Sequence, residues 1–291
     1  LYAAAMLSRR QFLGVGYAST LACLGAAGDA FGLEPRFRLI TKHWRVEHAS
    51  WGGRAPVRIG VLTDLHAVEP WMPVSRVASI VGALNALKPD LIVLLGDYVN
   101  ALSARYTTGI VPPALWAAAL GRLKAPLGVY AVLGNHDWWS GEVPAIREAM
   151  NAEGIRLLEN AAVPINWKGG RFWLAGLGDQ LAFRSRGGAD DLQGTMRQVG
   201  EDAPVVLLAH EPDIFPQVTA EVALTLAGHT HGGQVYIPLI GRPAVDGPYA
   251  YGHIREEGRH MIVSSGLGVS HLPVRFLVPP EIATVTISGR A

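Results

Sequence analysis

The sequence predicts an α/β fold in which two mixed β-sheets stack on each other and are flanked by helices. Three observations carry this expectation. Five short apolar runs each end abruptly in a polar residue, segments with helical spacing separate the first three runs, and the later part of the chain is richer in strand patterns. Runs that are apolar on both faces belong to strands covered on each side by helices or by another sheet.

Taken in order, residues 36–48 alternate in polarity, which predicts a half-buried antiparallel strand entering the sheet. The first three apolar runs cover residues 57–63, 91–96 and 129–134 and lead to Asp64, Asp97 and Asn135. Between them, residues 74–87 and 113–123 have helical spacing. Each segment is closed by a Lys-Pro or Lys-Ala-Pro stop, as in βαβ crossovers. Residues 142–152 and 190–199 are further helix candidates. Two later apolar runs, residues 205–209 and 223–228, lead to His210 and His229, and strands are expected at 163–167, 172–175, 234–237, 261–264 and 284–287.

A chain of 291 residues is long enough for one large α/β domain with a buried site. Hydrophobic residues make up 49% and charged residues 17%, the latter below the globular average of about 25%, which argues against disorder. A net charge of +1 without Lys/Arg runs excludes a general nucleic-acid surface, so any phosphate recognition must be local.

Ser8-Arg9-Arg10-Gln11-Phe12-Leu13 precedes a small-residue and apolar stretch from Gly14 to Ala27, which reads as a twin-arginine export signal. Taking Met6 as the start places the arginine pair close behind it. Cleavage after Ala30 is expected, giving a signal over residues 1–30 and a single domain over 31–291; an uncleaved anchor or an ordinary amphipathic start is the alternative. The stretch is short for a membrane span, so the mature chain is expected to lack a transmembrane domain. The expected partner in export is the twin-arginine translocase. The expected location is the periplasm or the outer face of the cell membrane or cell wall. Without the signal the chain is formally neutral and also lacks its one cysteine, Cys23. That excludes disulfides, zinc-thiolate sites and a cysteine nucleophile, and leaves metal chemistry to nitrogen and oxygen donors.

Functional groups of open α/β sheets gather at the carboxyl ends of strands, where loops turn toward a shared crevice. All five polar endings lie at such ends: Asp64-x-His66, Gly96-Asp97, Gly134-Asn135-His136-Asp137, His210 and Gly228-His229-x-His231. Oxygen and imidazole donors of this kind suit divalent transition metals. In a turning loop the i, i+2 pairs reach around one ion or divide between two, and glycine before a donor permits a tight turn close to the metals.

These motifs, in order and with similar intervals, resemble the full signature of the calcineurin-like metallophosphoesterases over roughly residues 57 to 234. The twin-arginine start, Gly232-Gly233-Gln234 and the tail from Gly266 to Phe276 resemble the exported bacterial phosphodiesterase branch. The resemblance implies two divalent metals, one held by Asp64, His66 and His231 and the other by Asn135, His210 and His229, with Asp97 bridging them. Their identity is left open among Mn, Fe, Zn, Co and Ni. It further implies that His136 faces the substrate phosphate and assists the leaving oxygen while Asp137 orients its ring. Two ions about 3.5–4 Å apart lower the pKa of a shared water, so that hydroxide attacks phosphorus in line. Gly96-Asp97-Tyr98-Val99 continues as Asn100-Ala101, without the phosphate-gripping arginine of protein Ser/Thr phosphatases, which argues against a phosphoprotein substrate. The expectation is thus a phosphodiesterase; the alternatives are a phosphomonoesterase on the same site and a non-catalytic metal-binding scaffold. Trp71, Trp138 and Trp139 are candidates for an apolar wall favouring an amphiphilic or envelope-derived phosphoester, with ordinary packing as the competing reading. His43, His48, His253, His260 and His271 are expected to be surface or structural, not ligands.

Overall fold

A computed structural model describes residues 9–200, 203–245 and 247–290. Met6 and Ser8 lie outside the described residues. The first sheet has the strand order Ile40–Glu47, Glu281–Ser288, Val57–Leu62, Leu91–Leu94, Val129–Ala131, Arg156–Leu157. The last four run parallel, in keeping with the crossovers through the helices Val74–Ala86 and Pro113–Leu120. The second sheet is ordered Gly252–Glu256, Arg259–Val263, Val222–Ala227, Val205–Leu208, Gly170–Gly176, Ala161–Trp167. Its middle four strands are parallel and its two edge strands antiparallel.

Side-chain alternation explains why the apolar runs are apolar on both faces, with exposed Arg58 and buried Thr225 as polar residues inside them. Val57, Ile59, Val61, Leu91, Val93 and Leu95 pack against Leu174, Val206, Leu208, Leu224 and Leu226 between the two sheets. Leu62, Ile92 and Leu94 point the other way, onto Val77, Leu84, Trp116 and Ile146 of the covering helices. The helix Val74–Ala86 stops before Lys88, which takes a left-handed φ of 51°, and Pro89 follows.

Four expectations are corrected. The first strand spans Ile40–Glu47 and runs parallel, not antiparallel, to its neighbour Glu281–Ser288, because alternating polarity reports half-burial but not the direction of the partner. Arg36 and Phe37 belong to the short helix Glu34–Phe37. Residues 234–237 form isolated bridges, Val235 to Phe276 and Ile237 to Gly241, where left-handed Gly232, Gly233 and Gly241 interrupt any ladder. The helix expected over 190–199 is only Leu192–Met196.

At the N-terminal side, the helix Arg9–Gly28 continues through a wide turn, Asp29–Leu33, into Glu34–Phe37. This junction is tied to the C-terminal tail. The Arg275 N–H donates to the Ala30 carbonyl (2.9 Å), and the Val278 N–H donates to buried Glu34 Oε1 (2.7 Å). Among the described residues no helix is long and apolar enough to cross a membrane.

Candidate metal centre

All seven donors converge where the two sheets meet. Asp64, His66 and His231 form one group and Asp97, His210 and His229 a second, with the ligand atoms of each group within 4.8 Å of one another. Asn135 joins the second: its Oδ1 lies 3.2 Å from His210 Nε2 and 3.0 Å from His229 Nδ1. Asp97 Oδ2 stands between the groups, 3.5 Å from His66 Nε2 and 3.3 Å from His210 Nε2. Donor atoms about 2.1 Å from one ion and at right angles around it are about 3 Å apart. The spacing of His66 Nε2 and His231 Nε2, 3.0 Å, therefore suits a shared ion.

Backbone conformation aims these side chains. Asp64, His66, Asp97, His229 and His231 all have left-handed φ, between 45° and 69°. Each such residue costs on the order of 1 kcal/mol, a strain typical of functional sites. The turns also need glycine: a Cβ on Gly96, at φ 98°, would come within 2.5 Å of Gly134 N and 2.8 Å of His210 Nδ1. Behind the rings, His66 Nδ1 faces the Val99 carbonyl (2.9 Å) and His210 Nδ1 the Leu95 carbonyl (2.7 Å), so each Nδ1 donates. His66 Nε2 then presents its lone pair to the centre. For His210 burial is outweighed by the Asp97 carboxylate, which raises the ring well above its ordinary value, so a cation would have to displace the Nε2 proton.

Electrostatics match a site made for cations. Burial lowers His66 to about 3, and burial followed by the neighbouring His66 and Arg275 drives His231 well below its ordinary value; both rings are therefore neutral and ready to ligate. Burial pushes Asp64 up to about 7. Burial would also raise Asp97, but the imidazoles of His210, His66 and His136 around it outweigh that and hold it well below the carboxylate range. Such a donor set fits divalent metal ions.

His136 lies on the helix Asn135–Trp139 and reaches the cleft beside His66, with ring centroids 5.2 Å apart. Asp137 does not orient that ring. No hydrogen bond joins them among the described residues, because successive residues of a helix point about 100° apart. The Asp137 carboxylate turns inward and accepts the N–H groups of Asp97, Tyr98, Val99 and Gly134 at 2.8–3.3 Å, thereby fixing the Asp97 loop against the Asn135 loop. The tryptophan wall reduces to Trp139. Trp138 packs on Phe183 and Arg147, and Trp71 beside Arg36 with its indole N–H on the Tyr106 carbonyl.

Three further residues were not read from the sequence. Arg275, fully buried, donates to the carbonyls of Ser265, Gly268 and Val278 and places Nη2 3.3 Å from His231 Nδ1. Asp179 and Glu211 form a buried acidic pair next to His210. His271, expected not to be a ligand, lines the cleft with its ring centroid 6.1 Å from that of His136, and belongs to neither ligand group.

A two-sheet sandwich with clustered Asp and His donors at its strand ends defines a metallophosphoesterase with a binuclear metal site. A calcineurin-like phosphoesterase profile matches residues 57–254, and the chain belongs to that family. It is 31% identical to the metallophosphoesterase YkuE of Bacillus subtilis, over 97% of this chain and 98% of that one. It is 30% identical to the phosphodiesterase YaeI of Escherichia coli, over 97% and 100%. It is also 29% identical to a Danio rerio transmembrane protein with a metallophosphoesterase domain, over 79% of this chain and 53% of that protein, so it spans about half the length of that relative.

Proposed function

We propose that the protein is a phosphodiesterase in which Asp64, His66 and His231 hold one divalent ion, Asn135, His210 and His229 the other, and Asp97 both. Bound there, the ions supply Lewis acidity toward phosphate oxygens and a lowered pKa for water. The chain does the rest. His136, whose ring is lowered by burial, stands in the cleft as a neutral imidazole and shares its proton with the departing ester oxygen. The His136 N–H donates to Asp97 Oδ1 (2.9 Å), locking the position of this residue to that of the shared ligand. Asp137 is a positioning residue.

The observation that carries the diester reading is the polarity of the cleft around the donors. Among the described residues, the lobe that holds the donors is lined by no Lys or Arg, but it does contain Asp213. A dianionic monoester seated in that lobe would face the carboxylate with no guanidinium in the same lobe to offset it, whereas a diester bears one charge. The name of the Escherichia coli relative points the same way. Manganese-loaded protein is expected to hydrolyse bis(4-nitrophenyl) phosphate faster than 4-nitrophenyl phosphate; a clear preference for the monoester overturns this reading.

The arginine pair Arg9-Arg10 and the apolar stretch behind it support export through the twin-arginine translocase, with residues 31–291 as the working domain, periplasmic or on the outer cell surface. Replacing both arginines by lysine is expected to retain a reporter fusion in the cytoplasm; continued export refutes the assignment.

A further inference from the structure

The cleft has two lobes that meet at His136. The first, of about 490 Å³, contains ligand residues together with Asp213 and Gln234. The second, of about 410 Å³, is lined by Asn100, Ser103, Ser140 and Arg184. His136, Trp139 and His271 belong to both. A phosphate poised at the metals and at His136 therefore has room for one ester arm in each lobe.

The lobes differ in charge. Among the described residues the second is lined by no carboxylate, and it carries the guanidinium of Arg184. That guanidinium lies over the Trp139 ring, 4.1 Å from its centroid, and has no carboxylate partner among the described residues. The loop bearing it is pinned to the catalytic helix, since Trp139 Nε1 donates to the Leu181 carbonyl at 2.9 Å. Two left-handed residues border the lobe: Arg184 itself, at φ 56°, and His271, at φ 60°, which is held by the pairing of Ser270–His271 with Ala101–Leu102. Strain of this kind at a cleft wall is a mark of placement for a ligand. Asn100 and Ser140 are satisfied locally, so Arg184, His271 and the Ser103 hydroxyl are the groups left to meet an arm.

We propose that the second lobe is an anion subsite, and that the preferred substrate is a phosphodiester whose arm beyond His136 ends in a carboxylate or a phosphate gripped by Arg184 and His271. A planar guanidinium stacked on an aromatic ring still presents its N–H edge to such a group. This inference rests on the diesterase reading.

The test uses three 4-nitrophenyl phosphodiesters whose second arm is a four-carbon chain ending in carboxylate, phosphate or the uncharged amide. With manganese-loaded protein, kcat/KM for at least one anionic arm is expected to exceed that of the amide by tenfold or more. Arg184→Gln should bring the ratio near one, and Arg184→Lys, which keeps the charge but not the stacked planar fork, should keep part of it. The matching phosphonates, in which an uncleavable P–C bond replaces the nitrophenyl ester, are titrated calorimetrically to read binding without turnover. Equal affinity for all three arms, or a preference that survives Arg184→Gln, overturns the subsite. Anion-selective binding of the phosphonates without hydrolysis of any diester would instead overturn the diesterase reading and leave the subsite standing. The better of the two anionic arms identifies the terminal group.

Discussion

Gly96→Ala tests whether the metal centre depends on the close approach of two loops. Position 96 has φ 98°, where an L side chain is strained by roughly 1–2 kcal/mol. The added Cβ would lie 2.5 Å from Gly134 N, 2.8 Å from Gly134 Cα and 2.8 Å from His210 Nδ1. Two of these neighbours are backbone, and the third ring is anchored to the Leu95 carbonyl, so neither side yields without moving a ligand. Overpacking of this kind adds about 1–3 kcal/mol. Together the costs are about 2–5 kcal/mol, or a fall in Tm of roughly 5–15 °C for a domain of this size. Displacement of His210 should also lower metal content. Calorimetry and elemental analysis of the purified variant provide the readout. A variant that keeps both ions and unfolds within 2 °C of the parent protein would refute the claim that the loops are packed to contact.

Other perturbations separate chemistry from scaffolding. His136→Asn should lower kcat about 10²–10⁴-fold while elemental analysis still finds both ions, since the ring shares a proton and ligates nothing; loss of metal in this variant would place His136 among the ligands. Chelation should abolish activity and, if free metal stood at 100 to 1,000 times Kd, remove about 3–4 kcal/mol of stability, lowering Tm by about 6–16 °C; an unchanged melting curve counts against binding at the folded site. Burial holds the Asp64 carboxyl at about 7, so in the metal-free protein its proton must leave before a cation binds. Metal affinity should therefore rise with pH through about 7, and titration in buffers of different ionisation enthalpy should show more proton release at pH 6 than at pH 8; equal affinity across that range contradicts it. Asp179 is pushed to about 9 by burial and then by Glu211, far above its unfolded value of about 3.9, so the folded state keeps a proton that the unfolded chain loses and stability declines as pH rises from about 4 toward 9. Asp179→Asn keeps an amide to face Glu211 and should raise Tm at pH 8 by about 3–10 °C, with the gain vanishing near pH 4; a gain that is the same at both values refutes the buried-proton account.

The sequence disclosed the donors because five of the seven, Asp64, Asp97, Asn135, His210 and His229, close apolar runs, with His66 and His231 two residues further on, and a charge or amide at such a place needs a purpose. Pairing directions and distant tethers leave no such mark. The strand Ile40–Glu47 shows its half-burial by alternation, while its parallel partner, Glu281–Ser288, lies more than 230 residues away along the chain. Asp137 sits inside the recognisable Asn-His-Asp motif, yet its task is set by N–H groups about 40 residues upstream, which only the folded backbone brings to it. Arg275 reads as one basic residue in an apolar tail, and nothing local announces that four carbonyl contacts and a histidine await it inside the protein. Asp179 and Glu211 likewise appear unremarkable until their side chains meet.

Both ligand groups draw on both sheets: Asp64, His66, Asp97 and Asn135 follow strands of one, His210, His229 and His231 strands of the other. Cations held there would act as rivets through the sandwich, and any slippage of one layer over its mate would shift the donors around them. Trimming Leu174 or Leu226, deep in the seam between the layers, should for this reason alter ion residence and turnover together, making the hydrophobic interior a tuning element of the hydrolase.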